Sequence, residues 1–318
     1  MNRSFIILHL LIFTLCNGQD KMFKVVKDTT FINIKGQLSS SLLYNDKYYS
    51  FFEEENPIST KPTKKFYVLS RKGNIEREIN VPAEIEREFY YNIHLRNDSI
   101  IVTTDFYKST LLLDIKKYEW IKIKSKEKFI YEDSNYFVST TDSGEWGSTL
   151  YFEDKRTKRL YECMSINPIV VNLIDNKYFI TCYLKHMFGQ TWIIEIDDPL
   201  KMSFVTSRRE PYHESKSSIG QEVIFDSVNY YIPTSFVYNN ELFHLYKANK
   251  RVFVGQLQNN KMINISDLKD DLSLSLQQFS DKRQFLIFHT MKNNVYGYME
   301  IIENKILIHY LIKKGKRI

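Results

Sequence analysis

Cysteine, proline and glycine are scarce in this 318-residue chain, at three, seven and ten residues. So few cysteines exclude a scaffold stapled by disulfides. So little proline and glycine excludes collagen-like and low-complexity architectures. The longest apolar run, Phe5 to Cys16, is short of the ~20 residues a membrane-spanning helix needs. No Gly-rich phosphate loop, Gly-x-Ser-x-Gly elbow or dinucleotide fingerprint is present, which argues against nucleotide and serine-hydrolase chemistry. Charge of one sign is also missing. Lys and Arg number 44 against 38 Asp and Glu, and this net +6 is too small and too scattered to imply nucleic acid. The Lys-rich stretch Ile121 to Lys128 reads as the solvated face of an outer strand.

What is present begins with a leader pattern. Met-Asn-Arg, the apolar run, then Asn17, Gly18 and Gln19 follow the charged, apolar and small-residue order of a signal peptide. Cleavage is expected after Gly18, giving a signal peptide over 1–18 and one domain over 19–318, secreted or periplasmic. Lipid anchoring at Cys16 is the alternative, and Leu15 speaks against it because lipoprotein signals carry a small residue there.

Short runs rich in β-branched and aromatic residues fill the rest, and helical periodicity is nearly absent. A turn recurs about six times: Asn45-Asp46, Asn97-Asp98, Ser134-Asn135, Asp175-Asn176, Asn239-Asn240 and Ser280-Asp281. Asn and Asp tolerate positive φ and bond their own backbone, so they close tight hairpins. Each turn precedes an apolar strand, as in Tyr48 to Phe52 or Tyr178 to Tyr183. Third strands then begin near Phe66, Thr110, Thr149, Thr191, Val252 and Val295. Fourth strands begin near Ile75, Trp120, Leu160, Met202, Met262 and Ile306.

Four strands recurring at a period near 40 predict an all-β propeller of six four-stranded antiparallel blades between Ser39 and Lys313. The segments Met22 to Gly36 and Arg208 to Tyr230 do not fit the repeat, and a seventh, split blade is the alternative that would absorb them. The 22 Tyr and 22 Phe suit blades that pack face to face through large side chains. Cys163 and Cys182 fall on different strands of neighbouring blades and are expected to be buried free thiols.

Function is expected on the face shared by the loops between second and third strands and the loops between blades. That face collects Glu53 to Lys64, Ser143 to Gly147, Lys185 to Gln190 and Arg208 to Gly220 on this register. Candidate ligand-binding residues are Glu145, Trp146, His186, Arg208, Arg209, His213 and Glu214, since an aromatic platform beside Arg, His and carboxylate suits a sugar ring or a peptide. His213-Glu214 lacks the second histidine of a zinc-protease motif, so no metal is expected, and no cofactor. His94, His244 and His289 fall on strands and read as structural.

Asp142-Ser143-Gly144-Glu145-Trp146 resembles the Asp box of sialidase-type propellers. Its Asp-to-Trp spacing is one residue short, it occurs once, and that family's catalytic arginines and tyrosine have no counterparts here, so no activity carries over. Through the repeat itself, the chain resembles six-bladed propeller repeat proteins exported by bacteria. That resemblance implies a rigid ring with variable loops and no particular chemistry. The expected function is non-catalytic binding of a carbohydrate, peptide or protein. The alternatives are an extracellular glycan hydrolase or lyase using Glu145, His186, Arg208 or His213, and a subunit docked into a cell-envelope assembly.

Overall fold

The computed structural model describes residues 22–57, 61–96, 98–104, 109–124, 128–141, 147–184, 189–208, 214–276, 278–279, 284–290 and 295–314. After an N-terminal strand, β1 (Lys24–Ile32), six antiparallel sheets follow one another along the chain. Blade one is β2 (Gln37–Tyr44), β3 (Lys47–Glu54), β4 (Thr63–Ser70) and β5 (Ile75–Ile79). Blade two is β6 (Tyr91–Arg96), β7 (Ser99–Thr104), β8 (Thr110–Asp114) and β9 (Glu119–Ile123). A short helix, α1 (Ala83–Glu86), lies between them.

Blade three is β10 (Lys128–Glu132), β11 (Tyr136–Thr140), β12 (Ser148–Asp154) and β13 (Leu160–Ser165). Blade four begins with β14 (Pro168–Ile174), β15 (Lys177–Leu184) and β16 (Gln190–Ile196). The chain then steps back to add β17 (Ser203–Val205) to the outer edge of blade three before returning as β18 (Glu222–Ser227), the fourth strand of blade four. Blade five is β19 (Tyr231–Tyr238), β20 (Glu241–Ala248), β21 (Arg251–Gln258) and β22 (Lys261–Asp267). Blade six holds β23 (Leu272–Leu274), β24 (Gln278–Phe279), β25 (Gln284–Thr290), β26 (Tyr296–Ile302) and β27 (Lys305–Lys313), with β1 parallel to β27 at its edge.

The architecture is therefore the six-bladed propeller expected from the repeat. Two expectations are corrected. Met202 does not open the fourth strand of blade four, because Ser203–Val205 pairs with β13 and the true fourth strand starts at Glu222. Arg208 to Gly220 is consequently a connection between the third and fourth strands of blade four, not a loop between blades. The six blades leave no seventh to be split, since Met22 to Gly36 supplies only the extra edge strand β1.

The hairpins form where the sequence marks them. Asn45-Asp46, Asp175-Asn176 and Asn239-Asn240 all have positive φ at both residues, the primed turn whose twist matches its flanking strands. The turn before β11 is closed differently, by the Asp133 carboxylate accepting from the backbone N–H groups of Asn135 and Tyr136 at 2.7 Å. Ser280-Asp281 lies outside the described residues.

Blade strands are apolar on both faces because each face packs on a neighbour. In β3, Tyr49 and Phe51 join the core shared with blade two, while the alternate Tyr48 and Phe52 join the core shared with blade six. Period-two alternation thus sends one continuous aromatic run into two cores. Burying such a side chain contributes ~1.5–3 kcal/mol. Comparable apolar clusters join blades three to four, four to five and five to six. Among the described residues, no such cluster joins blade two to blade three.

Cys163 and Cys182 are buried and free, and both sit in the core between blades three and four.

Candidate functional site

Strand direction places the ends of all second and fourth strands, and the starts of all first and third strands, on one face. On that face a cleft of about 570 Å³ opens between blades six and one. Its walls are the approach to β2 (Lys35, Gly36, Gln37, Leu38, Ser39), the end of β3 (Glu53, Glu54) with Glu55 and Pro62 beyond it, and the ends of β25 and β27 (His289, Lys313). Gly36 is needed where it stands: its φ is +80°, and a Cβ there would lie 2.6 Å from the Glu53 carbonyl oxygen.

Lys35, Lys313, Glu54 and Glu55 form no ion pair among the described residues, so both signs of charge remain available at the rim. Glu53 is held. Tyr91 donates its hydroxyl hydrogen to Glu53 Oε1 at 2.8 Å, and the same hydroxyl lies 2.7 Å from Ser39 Oγ. These bonds tie the loop face of blade one to the first strand of blade two. Burial, with the Glu53 charge beside it, keeps the Tyr91 hydroxyl protonated well above its ordinary range. His289 is drawn below its ordinary 6.5 by burial, opposed by a hydrogen bond with the Leu38 backbone, and so presents a neutral ring at neutral pH.

Beyond Pro62 the face continues onto the connection from blade one to blade two. Lys64 is buried, and its Nζ donates to the carbonyl oxygens of Glu86 at 3.2 Å and Glu88 at 2.7 Å, while its backbone N–H donates to the Glu86 carboxylate. Desolvation lowers the Lys64 pKa. Lys61 adds a bond to the Arg87 carbonyl at 2.6 Å and lies over the Phe89 ring, 4.8 Å from its centre. The short connection is thereby pinned at several points. It holds out Phe89, 56% exposed, and Tyr90, 74% exposed, as an aromatic pair beside the charged cleft.

Of the residues expected to form the site, the structure describes Arg208 and Glu214. It does not bring them together. Arg208 Nη2 donates to Glu153 Oε2 at 2.9 Å near the end of β12, whereas Glu214 packs against Gly147 just before the start of that strand. The two described residues therefore stand at opposite ends of β12. Glu145, Trp146, His186, Arg209 and His213 lie outside the described residues.

The loop Glu53 to Lys64 was legible because it follows directly from the end of a second strand. Lys35, His289 and Lys313 were not, since they reach the cleft only through the closure of blade six on blade one. A signal did exist for His289, which ends a second strand just as Glu53 does. Among the described residues, no group of three or more His, Cys, Asp and Glu side chains is placed to hold a metal ion.

No family model matches the chain, and no curated protein does. Some solved structures are similar to it at low identity. The β-propeller domain of the Trilobed protease from Pyrococcus furiosus is 11% identical, with 85% of this chain and 94% of that one covered, at a TM-score of 0.41. The WD40 domain of Toxoplasma gondii coronin is 9% identical over 89% of this chain and 72% of its own, at 0.35. A post-proline cleaving enzyme from Rickettsia typhi is 12% identical over 88% of this chain and 45% of its own, at 0.33. Likenesses this distant carry nothing about what this chain does.

Proposed function

We propose that this chain is an exported binding protein that takes a peptide or protein segment on the loop face of blades six, one and two. The observation that carries the reading is an open cleft, rimmed by Lys35, Lys313, Glu54 and Glu55 with no ion pair among the described residues, whose Ser39 and Glu53 are bonded to Tyr91, next in sequence to the exposed Phe89–Tyr90 pair. Aromatic anchors in a rigid frame supply most of the energy at peptide and protein interfaces. Charges of both signs around them set orientation and register more than affinity. A peptide presents the matching features, carbonyls, amides and charged side chains in line with an apolar residue. Export follows from the leader pattern at Met1 to Gly18, and removal of that segment would leave β1, which starts at Lys24, intact.

The test is a thermal-shift screen of Gln19 to Ile318 against mixed-charge peptides and, in parallel, neutral and acidic oligosaccharides. A ligand at a hundred times its dissociation constant stabilises the fold by ~2.7 kcal/mol, a readable shift. The reading expects peptides to give the shift and Tyr90→Ala or Glu55→Lys to remove it. A shift from oligosaccharides alone would replace the peptide with a glycan. Peptide binding unaffected by both variants would move the site elsewhere.

A further inference from the structure

The junction of blades two and three is built unlike the others. Where neighbouring blades elsewhere meet through apolar clusters, here the facing side chains are His94 and Arg96 from β6 and Phe129, Phe137, Tyr151, Glu153 and Glu162 from blade three. The chain that straps back from blade four enters the same junction. Ser215 donates from its backbone N–H to Thr149 Oγ1 at 2.7 Å and from its hydroxyl to Glu162 Oε1 at 3.1 Å, and Arg208 pairs with Glu153. Two guanidinium groups meet over one ring, with Arg96 4.7 Å and Arg208 5.8 Å from the centre of Phe137.

A cleft of about 260 Å³ opens there, lined by Arg96, Glu132, Phe137, Glu153, Lys155 and Lys158. These residues stand at the ends of first and third strands, at the start of β11 and in the turn after β12, so the cleft lies on the opposite face from the peptide site. Its charges are mostly paired. Lys155 contacts Glu132 at 2.6 Å, and Glu153 takes Arg208 at 2.9 Å and Lys158 at 3.8 Å. Arg96 is the exception: it has no ion pair among the described residues, and its Nε–H is buried without a hydrogen-bond partner. Its guanidinium lies instead over the neighbouring Phe129 and Phe137 rings, 5.3 and 4.7 Å from their centres.

We infer that this cleft is a binding site for a small monocarboxylate, received by the Arg96 guanidinium above the Phe137 ring. An aromatic-stacked guanidinium keeps its fork pre-organised for a planar two-oxygen acceptor. The lining carries three cations against two carboxylates, a net positive charge that favours an anion. Glu132, Lys155 and Lys158 are placed to hydrogen-bond a polar remainder. The carboxylate can come from a sugar acid or from a peptide C-terminus.

Calorimetric titration of Gln19 to Ile318 at matched ionic strength separates these sources. The probes are glucuronate against glucose, N-acetylglycine against N-acetylglycinamide, and inorganic phosphate. The expected result is binding of one or both acids and neither neutral counterpart. Arg96→Gln should weaken it roughly tenfold or more, the loss of one charge-assisted pair. Glu153→Gln, which removes a competing negative charge, should tighten it several-fold, and it decides the matter should Arg96→Gln not fold. Equal binding of phosphate, wild-type affinity in folded Arg96→Gln, no tightening in Glu153→Gln, or no binding of either acid would each overturn the assignment.

Discussion

Tyr48 of blade one donates its hydroxyl hydrogen to Glu300 of blade six, 2.9 Å away across the junction that closes the ring. Glu300 is fully buried, and around it gather Arg71, whose Nη1 lies 2.6 Å from Oε1 and whose guanidinium covers the Tyr48 ring, and His309, whose Nε2 lies at 3.4 Å. His309 Nδ1 in turn reaches Asp28 of β1 at 2.7 Å. One buried carboxylate thereby joins the first blade, the last blade and the N-terminal strand.

Tyr48→Phe should cost ~1–2 kcal/mol, because it leaves a buried carboxylate one donor short while keeping the ring that stacks on Tyr298 at 4.0 Å. Urea melts check it. A double-mutant cycle with Glu300→Gln should show coupling above 0.5 kcal/mol; additive losses would mean that the bond contributes nothing to closure.

The same cluster sets a pH window. Burial opposes the Glu300 charge, but hydrogen bonds from His309 and Arg71 together with the Arg71 charge outweigh it and hold the carboxyl at about 2, below its ordinary 4.5. A depressed carboxyl stabilises the fold fully above its unfolded value and loses that contribution as pH falls from about 4.5 towards 2. Burial likewise opposes the His309 charge, but bonds to Glu300 and Asp28 raise its pKa above 6.5. Its contribution is complete below 6.5 and fades as pH rises through the raised value. Stability from closure should therefore be greatest near pH 5–6, and Glu300→Gln should flatten the acid side of a melting-temperature profile by an amount on the order of 3 kcal/mol.

Gly297 on β26 has no room for a side chain. A Cβ there would press on the His309 carbonyl oxygen and lie 2.7 Å from Phe288 Cζ. Gly297→Ala should destabilise by ~1–3 kcal/mol, or prevent folding, through overpacking in the closing blade. A melting temperature equal to wild type would show that β26 and β27 can separate at no cost.

Cys163 and Cys182 should be silent towards a thiol reagent in the native protein and react once it is unfolded. Burial raises both pKa values, that of Cys182 to about 12, and denies access as well. The count in denaturant also reports processing. Two thiols match a chain that begins at Gln19, and three mean that Cys16 is retained. Mass spectrometry of the protein isolated from its own cells would show whether that residue carries lipid.

Much of the ring could be read from local chemistry. Asn45-Asp46 and Asn239-Asn240 announce hairpins because positive φ is a property of single residues, and they set the register of their blades. Met202 misled for the opposite reason. Met202 and Phe204 look like the start of an outer strand, and only the pairing of β17 with β13 reveals a detour to the preceding blade. The two clefts lay further out of reach. Glu53 and its loop were visible, but His289 and Lys313 meet them through contacts more than two hundred positions distant in sequence. Arg96 sits at the end of an ordinary strand, and what distinguishes it is a junction that, among the described residues, lacks the apolar filling of its neighbours.

The parallel pairing of β1 with β27 bears on how the chain can be recut. Their registers join residues 281 positions apart, a closure that costs about 5 kcal/mol of chain entropy in the ideal-loop scaling. Parallel strands cannot be joined by a tight hairpin and need a crossover of about a dozen residues. A circular permutant linking Lys314 directly to Lys24 would therefore tear β1 from its place, whereas one opened in the turn at Asn249-Lys250 with a long linker would keep every ladder. The N-terminal strand finds its partner only in the last strand of the ring, so the ring is latched by joining segments from its two ends.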